Sequence, residues 1–212
     1  MSDLVARPFE GKSGADRDGL ARLFAACGCS CFCRYWHFEG DKNEWLARAA
    51  FAADESEREL RARAVEESDE ARGVIALSGD EIVGWAKVAP AASLPKLYGQ
   101  RFYRGLASLT AAPRDGVFAI GCVLVHPAQR GGGAAHALAR SAVELAREAG
   151  ARALEAFPRV VDGRVSDEEL WMGPLSAFVA AGLRVVEDSR PYPVFRIDLG
   201  GRKSAPRRAA SR

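Results

Sequence analysis

The sequence lacks the long apolar segments that mark membrane and secreted proteins. No apolar run approaches the roughly 20 residues that span a bilayer, and the start MSDLVARPFEGKSGADRD contains no apolar signal segment. Hydrophobic residues make up 48% of the chain and charged residues 27%, which is close to the globular average and argues against a disordered chain. We therefore expect a soluble, cytoplasmic protein that does not contact membranes.

Acidic residues are absent from the end of the chain. Residues 200–212, GGRKSAPRRAASR, contain five basic residues and no acidic one, although the net charge of the whole chain is only +2. Short segments of this composition are usually solvated and disordered. The sequence therefore predicts a single domain over residues 1–199 and a disordered basic tail over residues 200–212. Because the rest of the chain is mildly acidic, we expect no nucleic-acid partner.

Cysteines are few and poorly placed for disulfides. Four of the five alternate along one short segment, at Cys27, Cys29, Cys31 and Cys33, and this layout favours reduced thiols. The spacing also differs from the C-x₂-C pairs of structural zinc sites, so we assign no metal ligand. Three interpretations of the segment stay open: packing in the core, a wall of a substrate site, and metal binding through thiolates.

Hydrophobic periodicity predicts an N-terminal helical region followed by alternating strands and helices. Residues 117–125, VFAIGCVLV, are apolar on both faces, as in a central strand that is covered on both sides. Together the elements indicate one mixed α/β sheet. The predicted helices cover residues 16–27, 43–67, 135–149 and 174–181, and the predicted strands cover 73–77, 81–88, 117–125, 153–157, 184–186 and 194–199.

A glycine-rich turn, RGGGAA at residues 130–135, separates the predicted central strand from the next helix. Such a turn collects several backbone N–H groups at the positive end of a helix dipole, which suits a phosphate or pyrophosphate. A P-loop would need Lys-Ser/Thr where Ala134 and Ala135 stand, and no G-x-G-x-x-G fingerprint follows an early strand. The alternative is a tight structural turn that binds nothing.

Two motifs resemble the GNAT family of N-acetyltransferases. Residues 123–135, VLVHPAQRGGGAA, resemble its acetyl-CoA signature, and residues 177–183, AFVAAGL, resemble its late helix. The resemblance implies the GNAT fold, a single mixed, mostly antiparallel sheet with a central splayed parallel pair and flanking helices, and acetyl-CoA as the acyl donor. It also implies donor-binding residues at the strand end and in the turn: Val123, Leu124, Val125, Arg130, Gly131, Gly132, Gly133, Ala134 and Ala135.

The catalytic residues of the family are only partly matched. The resemblance implies that an amine attacks the thioester directly, without an acyl-enzyme. Many members use a Glu early in the central strand and a Tyr in the late helix, whereas Val117 and Phe178 stand here. We therefore take Glu155, a carboxylate in an apolar strand, as the candidate base or amine-binding group, with a structural Glu as the alternative. The proton donor is left open among Ser176, Tyr192, Cys122 and a water.

Aromatic residues on and near the cysteine segment predict where an acceptor binds, and we name Tyr35, Trp36 and Trp85 as substrate-binding residues. A narrower resemblance, to an uncharacterised bacterial GNAT subgroup, rests on this segment together with the motifs VGW at 83–85 and EAFP at 155–158. We expect a small-molecule amine or a peptide as acceptor, and a homodimer would fit the family. Two other functions on this fold stay open: a non-catalytic acyl-CoA-binding regulatory module and a thiolate metal or redox sensor.

Overall fold

The computed structural model describes residues 4–110, 113–160, 162–163 and 166–200. Its centre is a seven-stranded sheet in the order β1-β2-β3-β4-β5-β7-β6. Neighbouring strands pair antiparallel except β4 and β5, which are parallel. The predicted fold class is therefore confirmed, and the strands are β1 Leu4–Pro8, β2 Gly73–Ser78, β3 Glu81–Pro90, β4 Val117–Val125, β5 Ala153–Ala156, β6 Arg184–Glu187 and β7 Val194–Asp198.

Helices cover both faces of the sheet. One face packs against α6 and α7, and the other packs against the helices that precede β4. In the part of the chain that the structure describes, no helix is long and apolar enough to span a bilayer. The α-helices are α1 Gly14–Ala26, α2 Lys42–Phe51, α3 Ala53–Val65, α4 Pro95–Tyr98, α5 Ala107–Thr110, α6 Ala134–Glu148 and α7 Leu175–Ala180.

The N-terminal region differs from the prediction in two places. β1 is an edge strand paired with β2, and its short, partly exposed sequence LVARP carries no clear apolar alternation. The helix predicted over residues 43–67 is broken into α2 and α3, because Ala52 leaves the helical conformation with φ −143° and ψ 39°. No glycine or proline marks that break in the sequence. The predicted basic tail lies outside the described residues from position 201 onward.

The parallel pair opens in the middle of the sheet. Residues 117–120 of β4 pair with residues 153–156 of β5, and β5 then ends while β4 continues to Val125. Residues 121–125 of β4 therefore face a gap where a neighbouring strand would otherwise lie. Because the chain after β4 turns directly into α6, this gap adjoins the N-terminus of a long helix.

Candidate active site

The glycine turn connects β4 to α6, and its backbone conformation suits the binding of an anion. Gly131 and Gly133 have φ of 75° and 92°, and a Cβ added at either position would meet no atom within 4 Å. The space in front of the turn is therefore open to a ligand. The first amides of α6, at and after Ala134, lack acceptors within the helix and lie at the positive end of its dipole.

A cleft of about 540 Å³ opens from this turn and follows the free edge of β4. All the predicted donor-binding residues except Gly132 line it. The structure adds residues that sequence analysis did not assign to this cleft. Cys27, Gly28 and Cys29 approach from the end of α1, and Leu170, Trp171 and Pro174 approach from the segment before α7.

Some backbone groups on the free edge of β4 face the cleft, and others are already hydrogen-bonded within the protein. The His126 N–H donates to the Val83 carbonyl of β3 at 2.9 Å, so by strand alternation the backbone groups of Val123 and Val125 face the gap. The Val123 N–H already donates to the Trp171 carbonyl at 2.8 Å. The Val123 N–H is therefore already bonded to the segment that carries Trp171. The Val125 N–H faces the cleft, where an extended ligand could pair with it.

Positive charge stands at the mouth of the cleft. Arg130 opens the glycine turn and lies near Cys27, whose Sγ is 3.6 Å from the Val125 carbonyl. Burial raises the pKa of the Cys27 thiol, and the Arg130 guanidinium partly opposes that rise. A negatively charged group entering here would meet both the helix amides and this guanidinium.

A second cavity, of about 150 Å³, lies on the other side of Trp171. Trp171 lines both cavities, and its ring stacks on Trp36 with centroids 5.5 Å apart. Trp36 is fixed in turn by a 2.7 Å hydrogen bond from its Nε1 to the Gly121 carbonyl of β4. The two indole rings therefore separate the cleft from the second cavity, beside the gap between β4 and β5. Of the predicted acceptor residues, Tyr35 and Trp36 line this second cavity.

Trp85 does not reach either cavity. It is fully buried between β3 and α1, in a cluster that includes Leu20 and Leu23. Its Nε1 donates to Cys33 Sγ at 3.3 Å, and its ring packs edge-on against Phe9. The structure therefore places Trp85 in the core and does not bring it to the predicted acceptor site.

Glu155 also lies away from both cavities. Its side chain is fully buried, accepts a 2.8 Å hydrogen bond from the Tyr98 hydroxyl, and forms ion pairs with Arg114 and Arg196. Burial, with the nearby carboxylate, raises the pKa of Tyr98 well above its usual value. Both carboxylate oxygens are engaged, so the role of Glu155 as a base stays a prediction that none of its contacts favours.

The other positions considered for proton transfer are mostly remote. Val117 and Phe178 are buried in the core, and Ser176 is exposed on α7 without lining either cavity. Cys122 is buried beside Cys33. Among the candidate proton donors, Tyr192 lines the second cavity.

The cysteine segment forms a chain of thiols under the cleft. Cys29 Sγ and Cys31 Sγ are 3.6 Å apart, and the hydrogen bond between them, with burial, raises the pKa of Cys29. A protonated thiol is a poor nucleophile and a poor metal ligand. Within the described residues, no group of three or more His, Cys, Asp or Glu side chains is arranged to hold a metal ion.

Comparison with known proteins adds a family and a set of structures. Residues 38–164 match the model of the acetyltransferase (GNAT) family. Aminoglycoside acetyltransferase AAC(6′)-Ib in complex with coenzyme A aligns with a TM-score of 0.52 and 16% identity, over 92% of this chain and 95% of that chain. The coenzyme A complex of PaiA N-acetyltransferase from Thermoplasma acidophilum aligns with a TM-score of 0.51 and 9% identity, over 92% and 99%.

A third structure agrees with these two. The structure of a putative acetyltransferase of the GNAT family from Desulfovibrio desulfuricans aligns with a TM-score of 0.50 and 16% identity, over 92% of this chain and 99% of that chain. Identities this low establish a shared fold and leave substrates open. No functionally curated protein matches the sequence.

Proposed function

Because the chain belongs to the acetyltransferase (GNAT) family, we propose that it transfers an acetyl group from acetyl-CoA to a primary amine, by direct attack in a ternary complex. One observation carries this proposal. The glycine turn at the start of α6 opens onto a cleft of about 540 Å³ that runs along the free edge of β4. The coenzyme A bound in related structures supports acetyl-CoA as the donor.

The residues of the cleft fit such a donor. The open space before Gly131 and Gly133, and the amides that begin α6, suit the pyrophosphate, and Arg130 adds positive charge. The Val125 N–H, which faces the cleft, and the apolar edge of β4 suit an extended pantetheine arm. That arm would lead toward Trp171, which separates the cleft from the second cavity.

The second cavity is the proposed acceptor site, because it meets the cleft at the Trp36–Trp171 partition. An amine held there attacks the thioester carbonyl, and positioning is the main contribution of the protein. We assign Glu155 a structural role, since it ties β5 to the Arg114 segment that precedes β4 and to Arg196 on β7. Tyr192, one of three tyrosines that line this cavity, is the candidate that could pass a proton to the departing thiolate.

Direct transfer is tested by product analysis and by intact-protein mass spectrometry. We expect acetylated amine and free CoA in equal amounts, initial-rate plots that intersect when both substrates are varied, and no acetylated protein. Replacing Cys27, whose Sγ lies 3.6 Å from the Val125 carbonyl, with Ala should leave the rate within about twofold, since a direct attack needs no protein nucleophile.

Two other results would contradict direct acetyl transfer to an amine. Parallel initial-rate plots together with an acetyl adduct that Cys27→Ala abolishes would mean an acyl-enzyme mechanism. Tight acetyl-CoA binding without turnover of any amine would mean a non-catalytic acyl-CoA-binding module.

A further inference from the structure

The walls of the second cavity are mainly aromatic. Two ring pairs face it, Trp36 stacked on Trp171 and Phe102 stacked on Tyr192 with centroids 4.2 Å apart. Phe102 and Trp171 are 41% and 44% exposed, so part of each ring is accessible to a ligand in this cavity. Aromatic walls of this kind suit a flat aromatic guest, whose stacking on a ring adds about 1 kcal/mol beyond burial.

The charged residues that the structure describes at this cavity are already paired. Among its described lining residues the charged ones are Arg159 and Glu169, and they form an ion pair with each other. The second oxygen of Glu169 accepts from the backbone N–H and the hydroxyl of Ser166. Lys96 Nζ lies 5.0 Å from the ring centre of Tyr35, which lines the cavity, and donates to the Phe38 and Gly40 carbonyls. A polyamine or an aminoglycoside would meet no uncompensated carboxylate among these residues.

The volume limits the guest to a small molecule. A cavity of about 150 Å³ matches the size at which apolar cavities in proteins hold benzene. The cavity therefore fits a single substituted ring, and larger acceptors would have to extend into solvent.

The need to remove a proton from the amine restricts the class of acceptor further. An alkyl amine has a pKa near 10, so only about a thousandth of it is uncharged at pH 7, and it needs a base. The two positions where the family places its acid and base hold Val117 and Phe178, and Glu155 is sealed by its ion pairs. An amino group bonded directly to an aromatic ring is uncharged at neutral pH and needs no base before attack.

We propose, on the basis of the proposed acetyl transfer, that the acceptor is a small arylamine bound against the aromatic walls of the second cavity. The nitrogen lone pair attacks the thioester carbonyl carbon, the C–N bond forms, and the C–S bond breaks. The proton lost by the nitrogen ends on the CoA thiolate, directly or through Tyr192 or water. The products are an N-acetyl arylamine and CoA thiol, and no further reactant is required.

The test compares amines of matched size at several pH values, with the N-acetyl product measured by mass spectrometry. We expect kcat/KM for 4-methylaniline to exceed that for cyclohexylamine by about 100-fold at pH 7, because cyclohexylamine is charged there and cannot stack. Between pH 6.5 and 8.5 the kcat/KM for 4-methylaniline should stay constant, whereas the kcat/KM for benzylamine should rise about tenfold per pH unit. Spermidine should be a negligible acceptor.

Variants separate the acceptor site from the donor site. Phe102→Leu and Tyr192→Leu should each lower kcat/KM for 4-methylaniline by about tenfold, since each removes a stacking face. Phe51→Leu on α2, where the ring is 91% exposed and far from either cavity, is the matched control and should change nothing. Acetyl-CoA binding, measured by thermal shift, should be unaffected in all three.

Three outcomes would overturn the arylamine proposal. They are a higher kcat/KM for spermidine or cyclohexylamine than for 4-methylaniline, equal pH slopes for 4-methylaniline and benzylamine, and no acetylation of 4-methylaniline while acetyl-CoA still raises the melting temperature. The last result would leave the donor site intact. Loss of the acetyl-CoA shift in the wild-type protein would instead overturn the proposed acetyl transfer and the arylamine proposal with it.

Discussion

Replacing Glu155 with Gln is expected to lower the free energy of unfolding by about 3 kcal/mol and to leave the pH dependence of acetyl transfer unchanged. Removing one partner of a buried ion pair costs about 3 to 5 kcal/mol, because the remaining charge stays buried without compensation. The lower value applies since Arg114 and Arg196 keep side-chain exposures of 25% and 18% and can recruit water. Urea unfolding at pH 7 measures the difference.

The control for Glu155 is another Glu–Arg pair, which is more exposed to solvent. Glu57 on α3 pairs with Arg61 at 2.8 Å, and both side chains are about one-third exposed. Glu57→Gln should change stability by less than about 1 kcal/mol. The structural role of Glu155 would be contradicted if Glu155→Gln were as stable as the wild type and if the acid limb of its kcat/KM profile disappeared, since those results identify a base.

Acidification from pH 6.5 to 4.5 is expected to remove about 2 kcal/mol of stability through His37 alone. Burial, reinforced by the charges of Lys87 and Arg34 and only partly opposed by Glu70, lowers the pKa of His37 from 6.5 to about 3. The unfolded chain therefore binds a proton at His37 between pH 6.5 and 3 that the folded chain does not bind. Stability is complete above pH 6.5 and falls as the pH drops through this window.

A variant isolates this effect from the carboxylates that also titrate in acid. His37→Phe keeps a ring of similar shape and removes the proton site, so its stability should fall less steeply between pH 6.5 and 4.5. His136 on α6 is partly exposed, and His136→Phe should keep the wild-type slope. Equal slopes in the wild type and in His37→Phe would show that His37 does not resist protonation in the folded protein.

Local patterns in the sequence were enough to predict the part of the fold that carries the proposed donor site. The apolar run of β4, the glycine turn and the periodicity of α6 are adjacent in the chain, so their order predicts the unit, and the resemblance to the GNAT family is confirmed. β1 was missed because an edge strand needs no buried alternation. The break at Ala52 was missed because its neighbours are ordinary helix formers.

The second cavity could be predicted only in part, because long-range contacts build it. Tyr35 and Trp36 were named from the aromatic segment, but Trp171 joins them from a loop more than a hundred residues later. Trp85 looked equivalent in the sequence, yet the alternation of β3 turns it toward α1. The role of Glu155 depends on Arg114 and Arg196, and nothing in the strand around it indicates that these partners converge there.

In the proposed function, the turn at the start of α6 binds the diphosphate of acetyl-CoA. The measurement is the melting temperature with and without acetyl-CoA, for the wild type, for Gly131→Asp/Gly133→Asp, and for Gly79→Asp/Gly105→Asp. The control glycines also have positive φ and open space around a Cβ, but lie outside the cleft, so the backbone strain is matched.

At a concentration about 100-fold above Kd, acetyl-CoA should stabilise the wild type and the control variant by about 2.7 kcal/mol, a shift of about 5 to 10 °C. In Gly131→Asp/Gly133→Asp the two carboxylates would repel the pyrophosphate, and we expect no shift. An equal shift in both double variants would contradict binding at the turn, and no shift in the wild type would contradict the proposed function itself.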